Sequence, residues 1–482
     1  MDLVYCLLHR KWLIKLLSKR MMKKILFSIL VVVGTSAISS AQFIVKDSYY
    51  ETTDVSNQGV VVGYTTWAGP YSLWFPETQT NDTIYGLAPG NGVGGRAMFS
   101  ADGMKISGTD NGPFGPEMAL YYQALGTWSV VGSLGFSVDN TLSNGYSISG
   151  DGATVVGNAW ADTTGGLAYT TAIAWTQAEG IMDLGTLFPG KSTRANAVSS
   201  NGAVVVGWQD FNGPWKSAVW RKDPMGGYYV NEYLLVDNAG NPNDEFNQLG
   251  ECTAVSADGN WIGGYGDFAT NGNPWIWSQA TGMIDLGTLA AGATGYVAAI
   301  NQDGTMAIGR FQQGPWDPEL PFIWTPAGGI QNLNDFATNS LQLDLGTNVI
   351  YSANCMSPDG HYIAGYGVDT VSFAYITYRM STEPVGISEQ AMDHVSLAPN
   401  PCENSFSLTG ETSFTVQLSS LSGETISELE LLEAQQMDVS SLSSGVYFLK
   451  CTSGDGRSKT FRVVKRRLDF SFLSHFGNVT ID

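Results

Sequence analysis

The stretch Ser199–Gly207, with the sequence SSNGAVVVG, joins a polar turn to an apolar strand. Asn-Gly or Asp-Gly between apolar runs is a strong signal for a β-hairpin, because both turn residues can adopt a positive φ. The same turn recurs seven times, and consecutive copies are 44 to 57 residues apart. The last residues of the copies are Gly59, Gly103, Gly152, Gly202, Gly259, Gly304 and Gly360. The chain is therefore built largely from an internal repeat.

Each repeat predicts four antiparallel strands. An apolar strand follows the turn, and a variable loop leads to another apolar strand that carries an aromatic residue. These aromatic residues are Trp74, Tyr121, Trp175, Trp220, Trp277, Trp324 and Tyr375. Four-stranded units of about 40 to 50 residues are typical of propeller blades, which bury their faces only by stacking around an axis. We therefore expect an all-β chain, with a seven-bladed β-propeller over residues 42–380.

The last repeat lacks a fourth strand, whereas residues 43–50 precede the first turn and can form one. We therefore expect residues 43–50 to pair with residues 372–379 and to close the ring. An open-ended solenoid is the competing interpretation, although seven lies among the four to eight blades that propellers use.

The repeat also resembles a known family. The patterns I/V-S-x-D-G-x-x-V-V-G, A-x-x-W-T and M-x-D-L-G-T-L together resemble the extracellular HAF-type repeat, best at residues 171–208 and 273–310. The resemblance extends over residues 43–380 and implies a propeller-like architecture. It does not imply a ligand, because one fold supports many functions.

The repeats end before a linker at residues 381–393, and a different sequence pattern follows. Short apolar runs and polar turns predict a small Ig-like β-sandwich at residues 394–466. Pro399-Asn400-Pro401, Leu421-Ser422-Gly423, the segment 443–447 and the basic Lys465-Arg466 resemble the type IX secretion sorting domain of Bacteroidota. This resemblance implies that the type IX machinery and its sorting peptidase are partners, and it allows attachment to surface lipopolysaccharide. Residues 467–482 form a tail of unknown role.

The first 41 residues resemble a targeting segment. Residues 1–20 are an upstream extension, and a secretory signal peptide begins at Met22 with two lysines and an apolar run at residues 25–33. Small residues at Ser39–Ala41 predict cleavage near Ala41. The apolar run is shorter than the roughly 20 residues of a membrane-spanning helix, so we expect no transmembrane segment in the mature chain; a retained anchor is the alternative. The expected location is secreted or at the cell surface, attached to the outer membrane.

Composition narrows the classes of partner. The chain has 57 glycines, only 14% charged residues and a net charge of −20. Because the leader is basic, the rest is still more acidic, which argues against nucleic acid and anionic membranes but permits calcium, cationic surfaces or neutral sugars. Cys252, Cys355, Cys402 and Cys451 lack paired zinc-site spacing. We expect buried free thiols, although Cys402 and Cys451 share a domain and could pair.

Sequence motifs indicate no catalytic residue and no cofactor. His361 is the one histidine within the repeats, and the chain lacks a Gly-x-Ser-x-Gly elbow. The loops after each second strand instead combine aromatic residues with aspartates, a composition that suits carbohydrate. The predicted contacts are Trp208, Asp210, Trp215, Asp267 and Trp316.

A structural interpretation competes with these contacts, because loop tryptophans also pack between blades and aspartates cap turns. Three functions stay open. The sequence favours a surface module that binds or adheres to glycan or another surface polymer. The alternatives are a glycan-cleaving hydrolase or lyase on a propeller scaffold, for which two carboxylates at a defined separation are needed, and a purely structural surface protein.

Overall fold

The computed structural model describes residues 42–90, 95–138, 140–161, 168–211, 215–314, 317–382, 395–410, 413–420, 425–432, 434–453 and 458–466. The expected signal peptide, most of the linker and the tail at residues 467–482 lie outside these ranges. The chain divides into two units. Ala41–Val385 forms one, called here the repeat unit, and the segment from Gly386 onward belongs to the other.

The repeat unit is almost entirely β. In chain order its strands are β1 (Phe43–Lys46); β2 (Glu51–Val55), β3 (Val61–Tyr64), β4 (Tyr71–Phe75) and β5 (Thr80–Tyr85) of the first sheet; β6 (Met98–Phe99), β7 (Lys105–Gly112), β8 (Gly115–Tyr122) and β9 (Thr127–Gly132) of the second; β10 (Ser143–Ile148), β11 (Thr154–Ala161), β12 (Tyr169–Thr176) and β13 (Gly180–Asp183) of the third; β14 (Thr193–Val198), β15 (Val204–Asp210), β16 (Trp215–Lys222) and β17 (Tyr228–Glu232) of the fourth; β18 (Cys252–Val255), β19 (Trp261–Gly264), β20 (Trp275–Ser278) and β21 (Gly282–Asp285) of the fifth; β22 (Thr294–Ile300), β23 (Ala307–Gln312), β24 (Leu320–Thr325) and β25 (Gly329–Asn332) of the sixth; and β26 (Asn348–Ile350), β27 (Cys355–Met356), β28 (Tyr362–Asp369) and β29 (Tyr375–Ser381) of the seventh. Its helices are a 3-10 turn at Phe268–Thr270, α1 at Leu333–Asp335 and a π-helix at Phe336–Ser340.

Of the seven antiparallel sheets described between residues 42 and 382, the first six are meanders, whereas the seventh takes β1 as its fourth strand. The repeated turn joins the first strand to the second, and the end of the sheet where this turn lies is called here the turn end. The variable loop joins the second strand to the third at the other end of the strands, which is called the loop end. All seven loop ends therefore hold the loops in which the sequence predicts ligand contacts.

The repeated turn differs from the expected one in a single respect. In the third sheet the N–H of Gly152 donates to the carbonyl of Ser149 at 2.8 Å, and the Asp151 carboxylate accepts from the N–H of Ala153 at 2.9 Å. Gly152 has a φ of 67°, whereas Asp151 is absent from the described residues with positive φ. The turn is thus a type I turn followed by a left-handed glycine. The predicted turn between two paired strands is therefore found, but only its glycine uses a positive φ, because the aspartate caps the backbone instead.

Six of the seven predicted aromatic residues occupy one register position on the third strand. Trp74 lies opposite Val61, for example, in the first sheet. The seventh sheet places Met380 opposite Ile363 at this position, and the predicted Tyr375 lies five residues earlier, at the loop end. Five is an odd separation, so Tyr375 points to the other face of the strand. Tyr375 does lie on the third strand of the seventh sheet, as predicted, but buried Met380 fills the position that the aromatic residues of the other sheets occupy.

The segment at the start of the repeat unit pairs with its last strand. Strand β1 lies antiparallel to β29, with Phe43 opposite Met380 and Lys46 opposite Thr377. The Phe43 ring also stacks on Tyr378, with centroids 5.5 Å apart. The pairing expected for residues 43–50 is thus found for residues 43–46, which supply the fourth strand of the seventh sheet.

Apolar clusters fill the space between consecutive sheets. One contains Val62 and Tyr71 of the first sheet and Ile106 and Tyr121 of the second. Six further clusters of described residues join the second sheet to the third and so on, and the last joins the seventh to the first. Both faces of every sheet are therefore covered by apolar side chains of its neighbours.

The second unit contains two sheets over one core. Its strands are β30 (Ser396–Ala398), β31 (Ser405–Thr409), β32 (Ser413–Ser419), β33 (Thr425–Leu432), β34 (Gln436–Asp438), β35 (Gly445–Ser453) and β36 (Ser458–Lys465). The sheets have the orders β30-β31-β34 and β33-β32-β35-β36. Phe406, Phe414 and Cys451 belong to their shared core. All four cysteines of the described residues are buried and form no disulfide, as expected, so the alternative bond between Cys402 and Cys451 is not formed.

A buried carboxyl group between the first two sheets makes stability depend on pH. The Asp54 side chain accepts a hydrogen bond from the N–H of Phe99 at 2.7 Å. Burial raises the pKa of Asp54 to about 7. An aspartate in an unfolded chain titrates near pH 4, so between about pH 4 and 7 the folded protein holds a proton that the unfolded chain has lost. The contribution of Asp54 to the free energy of unfolding therefore falls as the pH rises through this window.

We expect Asp54→Asn to stabilise the protein more at pH 8 than at pH 4.5. The amide keeps an acceptor for Phe99 but carries no charge, and the difference between the two pH values should be on the order of 2–4 kcal/mol. Thermal melting of both proteins at the two pH values measures it. Asp102→Asn is the control, since the equivalent turn residue of the fourth repeat is Asn201. An Asp54→Asn effect that is equal at both pH values would contradict the assignment.

Candidate ligand-binding face at the loop end

The first strands of five sheets each contain an extra residue, a β-bulge, at equivalent positions. The bulged residues are Thr53, Tyr146, Asn196, Thr253 and Ala298. A bulge leaves one residue out of the ladder and redirects its side chain. Three of these side chains bond to the next sheet, and the Asn196 amide, for example, donates to the carbonyl of Cys252 at 2.8 Å.

A cavity of about 270 Å³ lies where the first strands face one another at the loop end. Thr53, Thr253 and Ala298 line it, together with the charged side chains Glu51, Arg96 and Arg310. A second cavity of about 130 Å³ lies toward the turn ends and is more apolar. Arg96, Thr253 and Ala298 border both cavities. The loop end therefore offers a polar cavity built by several repeats together.

Arg310 is held by a network of hydrogen bonds beside this cavity. Its Nε lies 2.9 Å from Glu319 Oε1, and its guanidinium also donates to Asn354 Oδ1. The Tyr366 hydroxyl donates to Glu319 Oε2 at 2.9 Å. Burial raises the pKa of Glu319, and the Arg310 charge opposes that rise. The network fixes Arg310, whose cation lies 5.0 Å from the centre of the Tyr296 ring.

Three tyrosines form an aromatic patch at the loop end of the seventh sheet. Tyr49 packs edge-on against Tyr366 and Tyr375, at centroid distances of 5.6 and 5.9 Å. The Tyr49 hydroxyl donates to Glu51. Tyr49 and Tyr375 are exposed. The Tyr49-Tyr50 pair was the only signal for this patch in the sequence, and it was overlooked because residues 43–50 were interpreted as a closing strand alone.

Trp215 and Trp208 were both predicted as ligand contacts, and the structure separates their roles. The two rings stack 4.4 Å apart with an interplanar angle of 9°. Trp215 is 48% exposed, whereas Trp208 is only 6% exposed. The Arg194 guanidinium lies 5.4 Å from the centre of the Trp208 ring and 5.9 Å from that of Trp215, and it pairs with Glu251 at 3.1 Å. Trp208 therefore packs beneath Trp215, and Trp215 offers the more accessible ring of the two predicted contacts.

The predicted carboxylates also differ from each other. Asp267 lies 2.5 Å from the fully buried Nζ of Lys216, and its other oxygen accepts from the N–H of Ala269 at the start of the 3-10 turn. Asp267 therefore neutralises an internal cation, so both of its oxygens already have partners within the protein. Asp210 is half-buried at the end of β15, opposite Trp215 in the hairpin. Trp316 lies outside the described residues.

Exposed aromatic side chains recur in the loops after the second strands. Trp67 and Phe114 are 79% and 81% exposed. The other exposed aromatic residues of these loops, or of the first position of the strand that follows, are Trp215, Tyr265, Phe268, Phe373 and Tyr375. Phe311 is buried and Trp160 is half-buried, so not every loop contributes a ring. The loop ends nevertheless present aromatic surface in the first, second, fourth, fifth and seventh sheets.

The described residues offer neither a cluster of metal ligands nor a membrane-spanning helix. The described residues contain no group of three or more His, Cys, Asp or Glu side chains that could hold a metal ion. His361 lies at the turn end, with Nδ1 3.0 Å from Asp359 Oδ2. Among the helices described, none has the length and apolar character needed to cross a membrane.

Comparisons with solved structures gave similarities at low sequence identity. One is an oligogalacturonate lyase in complex with manganese, with 12% identity, a TM-score of 0.41, and coverage of 70% of this chain and 90% of that chain. Another is the β-propeller domain of the Trilobed protease from Pyrococcus furiosus, with 11% identity, a TM-score of 0.41, and coverage of 70% and 99%. A third is TolB from Acinetobacter baumannii, with 11% identity, a TM-score of 0.31, and coverage of 70% and 65%.

The sequence comparisons bear on the C-terminal unit. No curated protein shows significant sequence similarity to the chain. Residues 396–466 match the family described as the secretion system C-terminal sorting domain. This match confirms the resemblance stated for residues 394–466 and indicates a secreted or cell-surface protein. Residues 396–466 are a C-terminal sorting domain of the type IX secretion system.

Proposed function

We propose that the repeat unit is a seven-bladed β-propeller that binds a surface polysaccharide through its loop ends. The single observation that supports this most is the recurrence of exposed aromatic rings in loops after the second strands, around a polar cavity. Aromatic faces stack on the C–H faces of sugars, and polar groups bond to their hydroxyls. The type IX sorting domain supplies the route to the cell surface.

Among these rings, Trp215 is the one most clearly held in a fixed orientation before a ligand binds. Trp208 lies parallel beneath it, and Arg194 packs against both indoles. A side chain that is already held in one orientation loses little conformational freedom when a ligand binds. One such contact contributes about 1 kcal/mol, so firm attachment needs several contacts along a repetitive polymer. The repetition of the loops provides them.

Closure of the seven sheets into one ring also belongs to this proposal. Two observations support it: β1 completes the seventh sheet, and an apolar cluster with Val61 and Trp74 joins the first sheet to Cys355 and Ala364 of the seventh. A closed ring leaves only short, protected edges. An open arrangement would leave one apolar face of the first sheet and one of the seventh uncovered.

Deletion of residues 42–47 should destabilise the repeat unit and cause self-association. The deletion removes the packing of Phe43 and Val45, which costs on the order of 3 kcal/mol or more, and it uncovers the hydrogen-bonding edge of β29. Melting temperature and light scattering measure the two effects. Deletion of residues 383–466 is the matched control and should leave both unchanged. Closure by β1 is wrong if the shortened N-terminus leaves stability and monomer state as they were.

The triple variant Trp67→Ala, Phe114→Ala and Trp215→Ala should lose at least tenfold in retention on glycans. The control replaces Met104, Leu125 and Met225 with Ala, because these side chains are also exposed and apolar but lie at turn ends. A glycan array and polysaccharide pull-down measure retention, with circular dichroism as the test of folding. Equal retention by a folded triple variant and the control would refute the binding face.

The same samples separate binding from cleavage, which is the second candidate function. Release of reducing or unsaturated ends from the retained polymer is measured over time. A pure binding module gives none, whereas a hydrolase gives reducing ends and a lyase gives unsaturated ones.

Removal of residues 395–466 should leave the repeat unit in the periplasm. The expected reason is that the type IX machinery recognises this domain, which the sorting peptidase then removes before attachment to surface lipopolysaccharide. Fractionation and surface labelling of cells that express each form measure the location. Surface display of the truncated protein would contradict the assigned route.

A further inference from the structure

Arg96 differs from the other arginines of the repeat unit. Residues 42–382 contain five arginines, all within the described ranges, and four of them pair with glutamate. These pairs are Arg194–Glu251 at 3.1 Å, Arg221–Glu232 at 2.9 Å, Arg310–Glu319 at 2.9 Å and Arg379–Glu77 at 2.5 Å. Arg96 has no carboxylate oxygen within 4.0 Å among the described residues. It donates one long hydrogen bond of 3.4 Å to the carbonyl of Thr53.

The unpaired guanidinium faces the interior of the ring of sheets. Arg96 is half-buried and borders both the polar and the apolar cavity. A guanidinium carries five N–H donors in a planar fork, and a charge removed from water is costly unless it is paired. Most donors of Arg96 are therefore left to water or to a ligand that enters the cavity.

The nearby acid does not serve as its partner. The Asp54 carboxyl group accepts from the N–H of Phe99 and makes no ion pair with Arg96. Burial raises the pKa of Asp54 to about 7. Near neutral pH this group is therefore partly protonated, and it offsets the Arg96 charge only in part.

Neutral polar groups surround the same cavity. The hydroxyl groups of Tyr64 and Tyr296 line it and make no hydrogen bond to any described residue, and the Thr253 and Asn354 side chains lie on its wall. Its volume of about 270 Å³ is just below the range of sites for drug-sized ligands. The cavity thus suits one sugar ring, with hydroxyls for the polar wall and one acidic group for Arg96.

We propose that this cavity binds the carboxylate of a uronic acid residue, held by the guanidinium fork of Arg96. The inference deepens the proposed function and rests on it, since it names the polymer as an acidic polysaccharide. Planar carboxylates match the guanidinium fork with two parallel hydrogen bonds. A monoanion matches the one unpaired cation, whereas a dianionic phosphate would leave a negative charge uncompensated beside Glu51.

Because the protein is acidic, the contact between Arg96 and the carboxylate must overcome repulsion between the protein and the polymer. With a net charge of −20, the protein repels a polyanion at distances of about one Debye length, which is near 10 Å at 0.1 M salt. Recognition of an acidic sugar therefore depends on a short-range contact in a partly buried site, where salt screens little. Aromatic side chains at the loop ends bind the other sugar residues of the polysaccharide, and these contacts do not depend on charge.

The test measures binding of three related probes to the full mature chain by calorimetry. The probes are methyl β-glucuronide, methyl β-glucoside and methyl β-glucoside 6-sulfate, which differ only at the sixth carbon. We expect the glucuronide to bind at least tenfold more tightly than the glucoside. Arg96→Met should reduce glucuronide affinity at least tenfold. The affinity of Arg96→Lys should lie between those of the unaltered protein and Arg96→Met, because lysine keeps the charge without the planar fork of donors.

Arg221→Met is the matched control, since Arg221 lies on the third strand of the fourth sheet and already pairs with Glu232. Its glucuronide affinity should equal that of the unaltered protein. Arg96→Lys also protects the test if Arg96→Met fails to fold. Equal affinity for glucuronide and glucoside, or a folded Arg96→Met protein with full affinity, would overturn the proposal. Equal affinity for the sulfate ester would overturn the assignment to a carboxylate.

Failure of this inference and failure of the proposed function give different results. If polymer retention depends on Trp67, Phe114 and Trp215 but not on Arg96, the binding face stands and the acidic specificity is wrong. If the glucuronide binds through Arg96 but no polymer is retained, the cavity site stands and the adhesive function is wrong.

Discussion

Apolar contact between the faces of neighbouring sheets is the interaction on which the repeat unit depends. A four-stranded sheet has two apolar faces, and neither can be buried within one repeat. The cluster around Val62 and Ile106 buries one face of the first sheet, and the cluster around Trp74 and Cys355 buries the other. Every sheet therefore needs two neighbours, and the first and seventh sheets bury one apolar face of each other.

The same stacking places polar side chains where a ligand can reach them. Because the sheets meet along their first strands, irregularities in those strands face a shared space. The bulges at Thr53, Asn196 and Thr253 direct polar groups toward the adjoining sheet. The cavity at the loop end is thus a consequence of how the repeats join, with different residues from different repeats at one equivalent position.

The sequence predicted the repeats, their turns and the pairing of β1, because these depend on local patterns and on one missing strand. It failed where neighbouring sheets decide the outcome. Trp208 and Trp215 lie in the same hairpin, yet only their stacking shows which ring is exposed. Asp267 is committed to Lys216 from another strand, 51 residues away. Arg96 carries no local motif, and its lack of a partner is visible only when the sheets are assembled.

The pairing of β1 with β29 sets the order in which the repeat unit can finish folding. Gln42 and Ser381 are hydrogen-bonded although 339 residues separate them. Loop-closure entropy and high contact order make such a contact slow to form. Sheets two to six can assemble from neighbouring segments as the chain emerges, but the seventh waits for both ends of the unit. Until both ends of the unit have been made and paired, the seventh sheet lacks its fourth strand and the repeat unit is incompletely folded.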